Sequence, residues 1–367
     1  MKSFIRGFLL MLAMGIVLAA SSYAGTTSTD LSIAGVGARP LGMGKAFTAV
    51  ADDSNALFLN AAGLAGQEQW EMTSLNTRLL NNVDYKMVGG VIPTSFGTFG
   101  IGYIGVGSPA GYTTQTEMVG GVQQIIPVSE ITYRKEAIYL SYGRKLNDDI
   151  SLGATLKNQK QNFDGGTSAQ AGAYDADLSL LWKINPGLSL GLSAVNALSY
   201  AGEQVNWSTG QQEKNQSSLK LGGAYQPNSR LLLALDSEFE PGRMLWHAGA
   251  EYRPFDFISV RMGLDQNPLA TGSGGAVANS LTAGVGLKFF GVKFDYAYYR
   301  DAEIGDNSTH YFSMSVFGQD EPAAKKAEPR FNPRYKNVVM DAPVVARQAT
   351  PFSQVKIIAC DYREVDD

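Results

Sequence analysis

Apolar residues return at every second position in this chain, over one stretch of about ten residues after another. Leu281, Ala283, Val285, Leu287 and Phe289 alternate with Thr282, Gly284, Gly286 and Lys288, and Val292, Phe294, Tyr296 and Tyr298 alternate with Lys293, Asp295 and Ala297. Ile150 to Leu156 and Tyr174 to Trp182 repeat the pattern, with Leu181 the one exception. A period of two places successive side chains on opposite faces of a strand, so each segment has one apolar face and one face of glycine, hydroxyls and charges. The expectation is an all-β fold. Candidate strands are 69–80, 84–92, 97–107, 133–143, 150–162, 172–184, 187–197, 214–226, 229–240, 244–253, 256–267, 279–290, 292–301 and 309–317. Most are well beyond the ~5–6 residues usual in globular proteins. They suit a tilted membrane crossing of roughly 9–11 residues.

The connections sort by parity. Short links follow every even-numbered strand before the last: Pro93 to Phe96, Asn147 to Asp149, Asn185-Pro186, Pro227-Asn228, Pro254-Phe255 and Gly291. Long ones follow the third, fifth, seventh and eleventh: Ser108 to Thr132, Phe163 to Ala171, Leu198 to Glu213 and Pro268 to Ala278. Short turns at one end and long loops at the other mark a transmembrane antiparallel β-barrel of about 14 strands, whose short side is periplasmic. Trp70, Tyr103, Tyr133, Trp182, Tyr225, Trp246, Tyr252, Phe257, Phe289 and Phe290 fall near strand ends, where interfacial aromatic girdles sit. An even strand count puts both termini on the periplasmic side of a bacterial outer membrane.

Composition narrows the alternatives. The chain has 367 residues, 44% hydrophobic and only 17% charged, with 41 glycines, two histidines and one cysteine. A single Cys360 supports neither a disulfide framework nor a zinc ribbon, and a net charge of −4 argues against a nucleic-acid partner. The longest apolar run, Gly7 to Ala20, is too short to span a bilayer as a helix. It follows Lys2 and Arg6 and precedes Ser22-Tyr23-Ala24, which reads as a secretory signal over residues 1–24.

Residues 25–68 are not strand-like. Their glycines at 35, 37, 42 and 44 do not form a dinucleotide fingerprint, and Lys45 is followed by Ala46 rather than the hydroxyl of a phosphate loop, so no cofactor is expected. Lys45 to Val50 is expected to form a short helix, and the segment to fold into the barrel lumen as a hatch. Arg39 with Asp52 or Asp53 is a candidate ion pair there.

The run Gly37-Ala38-Arg39, Gly42-Met43-Gly44, Ala51-Asp52-Asp53 and Asn60-Ala61-Ala62-Gly63-Leu64 resembles the N-terminal signature of the PorV/PorQ outer-membrane proteins, relatives of the FadL-type long-chain fatty acid transporters. Ala61 stands where that signature usually has proline. The resemblance implies a barrel plugged by its N-terminus. FadL-type members pass hydrophobic compounds through a lateral opening, whereas PorV-type members act in type IX protein secretion, and the shared motif does not separate the two. Passive transport of hydrophobic small molecules is the expected function, with a secretion or assembly component, or a structural barrel, as the alternatives. The chain is not expected to be an enzyme.

Candidate hatch and ligand contacts are Arg39, Met43, Phe47, Asp52, Asp53, Leu57, Phe58 and Asn60. Alternation assigns Lys157, Asp175, Asp177, Lys183, Lys220, Arg261, Asp265, Lys288, Lys293 and Asp295 to the lumen, mostly as mutually paired structural charges. His247 and His310 belong to no recognisable catalytic or metal-binding arrangement. The barrel is expected to occupy 69–317. Residues 318–367, rich in proline and charge, read as a periplasmic tail that could engage a periplasmic partner. The remaining expected partners are outer-membrane lipid, the barrel-assembly machinery, and a hydrophobic small molecule or a secreted protein.

Overall fold

A computed structural model describes residues 27–28, 30–79, 83–165, 168–269, 276–301 and 308–318. The signal segment and the tail lie outside the described residues. Fourteen strands form the wall: β1 Glu71–Leu79, β2 Val83–Thr94, β3 Gly97–Val119, β4 Val122–Lys145, β5 Ile150–Asp164, β6 Ser168–Asn185, β7 Leu188–Val195, β8 Ser218–Asn228, β9 Leu231–Glu240, β10 Arg243–Phe255, β11 Ile258–Pro268, β12 Val277–Phe289, β13 Val292–Arg300 and β14 Ser308–Phe317. Each pairs antiparallel with the next, and β14 pairs with β1 from Phe312↔Asn76 to Phe317↔Glu71, so the sheet closes on itself. Closure leaves no unpaired edge in the wall. No helix among the described residues is long and apolar enough to cross a membrane.

The apolar face of each strand points outward. Ile101, Leu140, Leu156, Leu178, Met262 and Phe312 are exposed on the outer wall, while their sequence neighbours face a filled interior. At the short-turn end Phe255, Phe257 and Phe289 stack side by side at 5.6 and 5.8 Å between ring centroids. That ladder is an interfacial girdle. Tyr133 departs from the expected girdle: it has inward parity and donates a 2.9 Å hydrogen bond to the Gln161 side chain.

All fourteen expected strands are present, and the main difference lies between the third and fourth. Residues 108–132, expected as a loop, continue β3 and β4 as a two-stranded ribbon, paired from Ser108↔Tyr133 to Val119↔Val122. Gly120 and Gly121, both at positive φ, form the two-residue turn. The Gly-Ser-Pro-Ala-Gly sequence at 107–111 reads as a break, but the chain absorbs it as a bulge between Ser108 and Gly111.

The lumen is filled by residues 30–66, through short helices Ala38–Gly42 and Ala56–Leu59 and 3₁₀ turns at Leu31–Ala34 and Ala61–Gly66. A belt of inward-facing wall glycines lets this segment in. Leu57 and Phe58 press on Gly89 and Gly102, Ala61 and Ala62 on Gly143 and Gly153, Thr48 and Ala49 on Gly191 and Gly222, Met43 on Gly249, and Gly44 on Gly263. A methyl group at most of these wall positions would collide with hatch backbone, so the strand glycines are the negative mould of the plug. The helix expected at Lys45 to Val50 is displaced to Ala38–Gly42: Gly44 and Lys45 adopt φ of 59° and 64°, a left-handed break that lets Gly44 lie against Leu264 and Ala248. Ala61 opens a 3₁₀ turn capped by Asn60, whose side chain accepts from Ala62 N at 3.1 Å. A first helical position suits proline but does not require it.

The hatch runs from one end of the barrel to the other. Thr27 and Ser28 pair with Lys214 and Asn215 in the long-loop region, and Glu71 starts β1 at the short-turn end. The first described residues therefore lie at the long-loop end, and Phe317 ends the last strand at the short-turn end.

Candidate functional site

Four hatch charges are clamped by the wall. Arg39 donates from Nε to Glu251 at 2.8 Å and from Nη1 to Asp52 at 2.5 Å and Asp53 at 2.8 Å, so the ion pair involves both candidate aspartates and a wall carboxylate besides. Lys45 reaches Asp265 at 2.8 Å, and Asp30 binds Lys157 at 2.8 Å. Lys293 lies 3.4 Å from both Asp53 and Glu71. Burial alone would raise the Asp53 carboxyl, but Lys293 and Arg39 hold it well below the carboxylate range. Asp30 is held down in the same way by Lys157 against its burial. For Arg39 and Lys45 burial is likewise overcome, by Asp52, Glu251 and Asp53 in one case and by Asp265 in the other, and both are pushed upward.

Most of the expected lumen charges belong to these clamps or support them. Arg261 ties Glu251 at 2.7 Å to Asp295 at 2.6 Å, Lys220 pairs with Glu238 at 3.0 Å, and Lys157 also holds Asp177 at 2.8 Å. Asp175 is no free lumen charge. It accepts from Leu198 N, Ser199 N, Ser199 Oγ and the Asn215 amide, anchoring residues 196–217 where they continue the wall above the end of β7. Lys183 and Lys288 lie at the short-turn rim, where the strands outrun the hatch: both are exposed, Lys183 is beside Gly66 of the hatch, and Lys288 lines the same cavity as Arg39 and lies 4.9 Å over the Phe317 ring.

Sequence reasoning missed Glu251, Glu238, Asp236 and His247. All four are buried and inward-facing, and the period of two carried the signal: Asp236 and Glu238 share parity with Ala234, and His247 and Glu251 share it with Gly249. Asp236 accepts from Phe47 N at 2.9 Å and Thr48 N at 2.8 Å, pinning hatch backbone where no intrahatch acceptor is available. His247 sits between Asp265 at 2.7 Å and Glu238 at 3.3 Å.

The apolar hatch residues expected to meet a ligand are packed away. Met43, Phe47, Leu57 and Phe58 are buried against the wall and line none of three cavities found among the described residues. Asn60 is structural, donating to Thr48 O at 2.7 Å. At the short-turn end a polar cavity of about 380 Å³ is lined by Arg39, Asp52, Glu71, Arg253 and Lys293. At the long-loop end a second polar cavity of about 310 Å³ lies against Lys45, Lys220, Glu238 and His247. The third, about 500 Å³, is lined by Leu31, Ala34, Leu79, Val106, Tyr133 and Trp207 together with the polar Ser28, Asp30, Lys135, Gln161 and Glu213. The Trp207 indole N–H is buried and has no hydrogen-bond partner among the described residues.

No protein-family model and no curated protein matches the chain. Solved structures do. The chain resembles the CymD monoaromatic hydrocarbon channel with a TM-score of 0.55 at 14% identity, over 79% of this chain and 98% of that one. It resembles the Pseudomonas putida toluene transporter TodX at 0.53 and 12% identity, over 81% and 99%. The Ralstonia pickettii toluene transporter TbuX follows at 0.51 and 14% identity, over 77% and 97%. The fold is that of these hydrocarbon-transporter barrels.

Proposed function

We propose that the barrel admits small apolar molecules through the outer membrane and does not act as an open pore for polar solutes. The observation that carries this reading is the cavity of about 500 Å³ at the long-loop end, apolar on its Leu31, Ala34, Leu79, Val106 and Trp207 side and polar at Asp30, Lys135 and Glu213, seated on a hatch that fills the lumen beneath it. An apolar cavity of roughly 150 Å³ already holds a benzene ring. The activities of the structurally similar toluene and monoaromatic hydrocarbon channels agree with a cargo of that size and character. The unpartnered Trp207 N–H and the aromatic face of Tyr133 suit a flat ring better than a saturated chain. Titration of purified protein with toluene should quench tryptophan emission saturably, and glucose should not. Val106→Trp, which fills the cavity, should abolish the effect while the barrel keeps its heat-modifiable gel mobility. Unaltered toluene binding by that variant would refute the assignment.

A second reading, a PorV-like secretion or assembly component, is favoured by one feature. The ribbon of β3 and β4 projects about 40 Å beyond Gly107, at 3.4 Å per residue. It carries exposed Met118, Val122 and Ile125 and has two open edges, the geometry that accepts an added strand from another protein. Photocrosslinkers at Ile125 and Thr114 should trap an exported protein in cells if this reading holds. A clean result at both positions would leave the ribbon without that role.

A further inference from the structure

The outer wall carries a charge boundary that the lumen does not explain. Along β1 to β6 the strand register aligns outward-facing residues into rows. The row Ile92, Phe99, Tyr142, Ala154 and Leu178 and the row Gly90, Ile101, Leu140, Leu156 and Ala176 are apolar or small. Val88, Tyr103, Ile138, Asn158 and Tyr174 form the next row toward the long-loop end, with the tyrosines of an interfacial belt.

Immediately beyond it the character changes. One row reads Asn76, Lys86, Gly105, Glu136, Lys160 and Gly172, and the following one Arg78, Asp84, Gly107, Arg134, Asn162 and Gln170. Arg78 pairs with Asp84 at 3.2 Å. Glu136 accepts from the Tyr103 hydroxyl at 3.1 Å and lies 3.8 Å from Arg134. Lys86 and Lys160 are exposed and have no ion-pair partner among the described residues. Between them β3 presents Gly105, covered by the Tyr103 hydroxyl that Glu136 holds, and Gly107, over which the space is open. The result is a shallow backbone-floored groove with Lys86 on one side and Arg134 and Lys160 on the other, spread over three strand spacings of about 4.8 Å.

We propose that this groove binds the phosphate of a membrane lipid headgroup in the leaflet at the long-loop end. Its height selects that source. The cations begin one row above the tyrosine belt, where a lipid whose chains lie on the Ile101 and Leu140 rows would place its phosphate. Arg134 offers the planar fork that pairs with two phosphate oxygens, and Lys86 and Lys160 supply charge that can swing onto the same group from long stems. Excess positive charge at membrane-surface height attracts anionic headgroups.

The test is native mass spectrometry of the full-length barrel released from mild detergent, offered a phosphorylated glycolipid, the same glycolipid without its phosphates, and inorganic phosphate. Wild type should retain the phosphorylated form about tenfold or more over the phosphate-free one. The triple variant K86Q/R134Q/K160Q should lose that preference, and a charge-removed control at the short-turn end, Arg230→Gln, should keep it. All three altered side chains are exposed, so heat-modifiable mobility should be unchanged and reports folding independently. Equal retention of the two glycolipids, or an undiminished preference in the triple variant, would overturn the proposal. Displacement of the glycolipid by inorganic phosphate at equal concentration would assign the groove to a free anion and also overturn it.

Discussion

Removing Arg39 tests how the plug is held. In Arg39→Gln the wall carboxylate Glu251, 2% exposed at its side chain, loses its 2.8 Å partner but keeps Arg261 at 2.7 Å. Asp53 loses its 2.8 Å cation and keeps Lys293 at 3.4 Å, with Asn55 donating to its other oxygen. The contact to Asp52 counts for little, because that side chain is 53% exposed and its charge is screened. Breaking a buried pair by removing one member costs about 3–5 kcal/mol when the survivor is stranded. Both survivors here retain a cation, which places the effect at the low end, about 3 kcal/mol. At 1.4 kcal/mol per decade this favours local release of the hatch more than about a hundredfold. Hydrogen–deuterium exchange of the amides at 38–50 should accelerate by that order, while amides of the β10–β11 ladder stay protected. Acceleration of less than about threefold across the hatch would mean that the glycine belt alone retains the plug and that the ion pairs are incidental.

Three further outcomes follow from the same geometry. Gly263→Val should abolish assembly into a heat-modifiable barrel, because its side chain would occupy the backbone of Gly44, whereas Gly107→Val, facing open space on the outer wall, should assemble normally. The pH profile follows from the hatch charges. Asp30 and Asp53 are held below their ordinary value of 3.8, so their contribution is complete above that pH and is lost as pH falls beneath it; Lys45 is raised above its ordinary 10.5, so its contribution is complete below that pH and lost above it. Protease resistance of the hatch should therefore be level from about pH 5 to pH 10 and fall outside this range. Asp175→Asn should expose residues 196–217 to limited proteolysis without unfolding the barrel, since it weakens acceptance from Leu198 N, Ser199 N and the Asn215 amide and leaves the main ladders intact.

The wall was legible because one physical rule governs it. Lipid outside and a packed plug inside force a strict period of two, and every strand from Glu71 to Phe317 answers to it. The same rule carried the lumen charges Lys157, Asp177, Arg261, Asp265 and Asp295 to their positions. At Lys183 and Lys288 the strands extend past the hatch, so inward parity there does not bring burial. The hatch was harder to read because its conformation is set by what surrounds it. Nothing local to Gly44 announces that Leu264 and Ala248 will press on it, so the helix expected at Lys45 forms about two turns earlier. The apolar hatch residues mark contact surface, but sequence alone does not say whether that contact is ligand or wall; for Met43, Phe47, Leu57 and Phe58 it is wall. The cavity drew instead on Leu79, Val106 and Trp207, which meet only when two strands and a loop hairpin are brought together.

The central claim, a sealed lumen with an apolar point of entry, is tested most directly by paired permeability in outer-membrane vesicles that retain their native asymmetric leaflets. The account predicts that the barrel accelerates entry of a small fluorescent apolar aromatic, that Val106→Trp removes the acceleration, and that entry of a small sugar is unchanged by either protein. A porin-like rate for the sugar, or an undiminished rate for the aromatic in Val106→Trp, would contradict it.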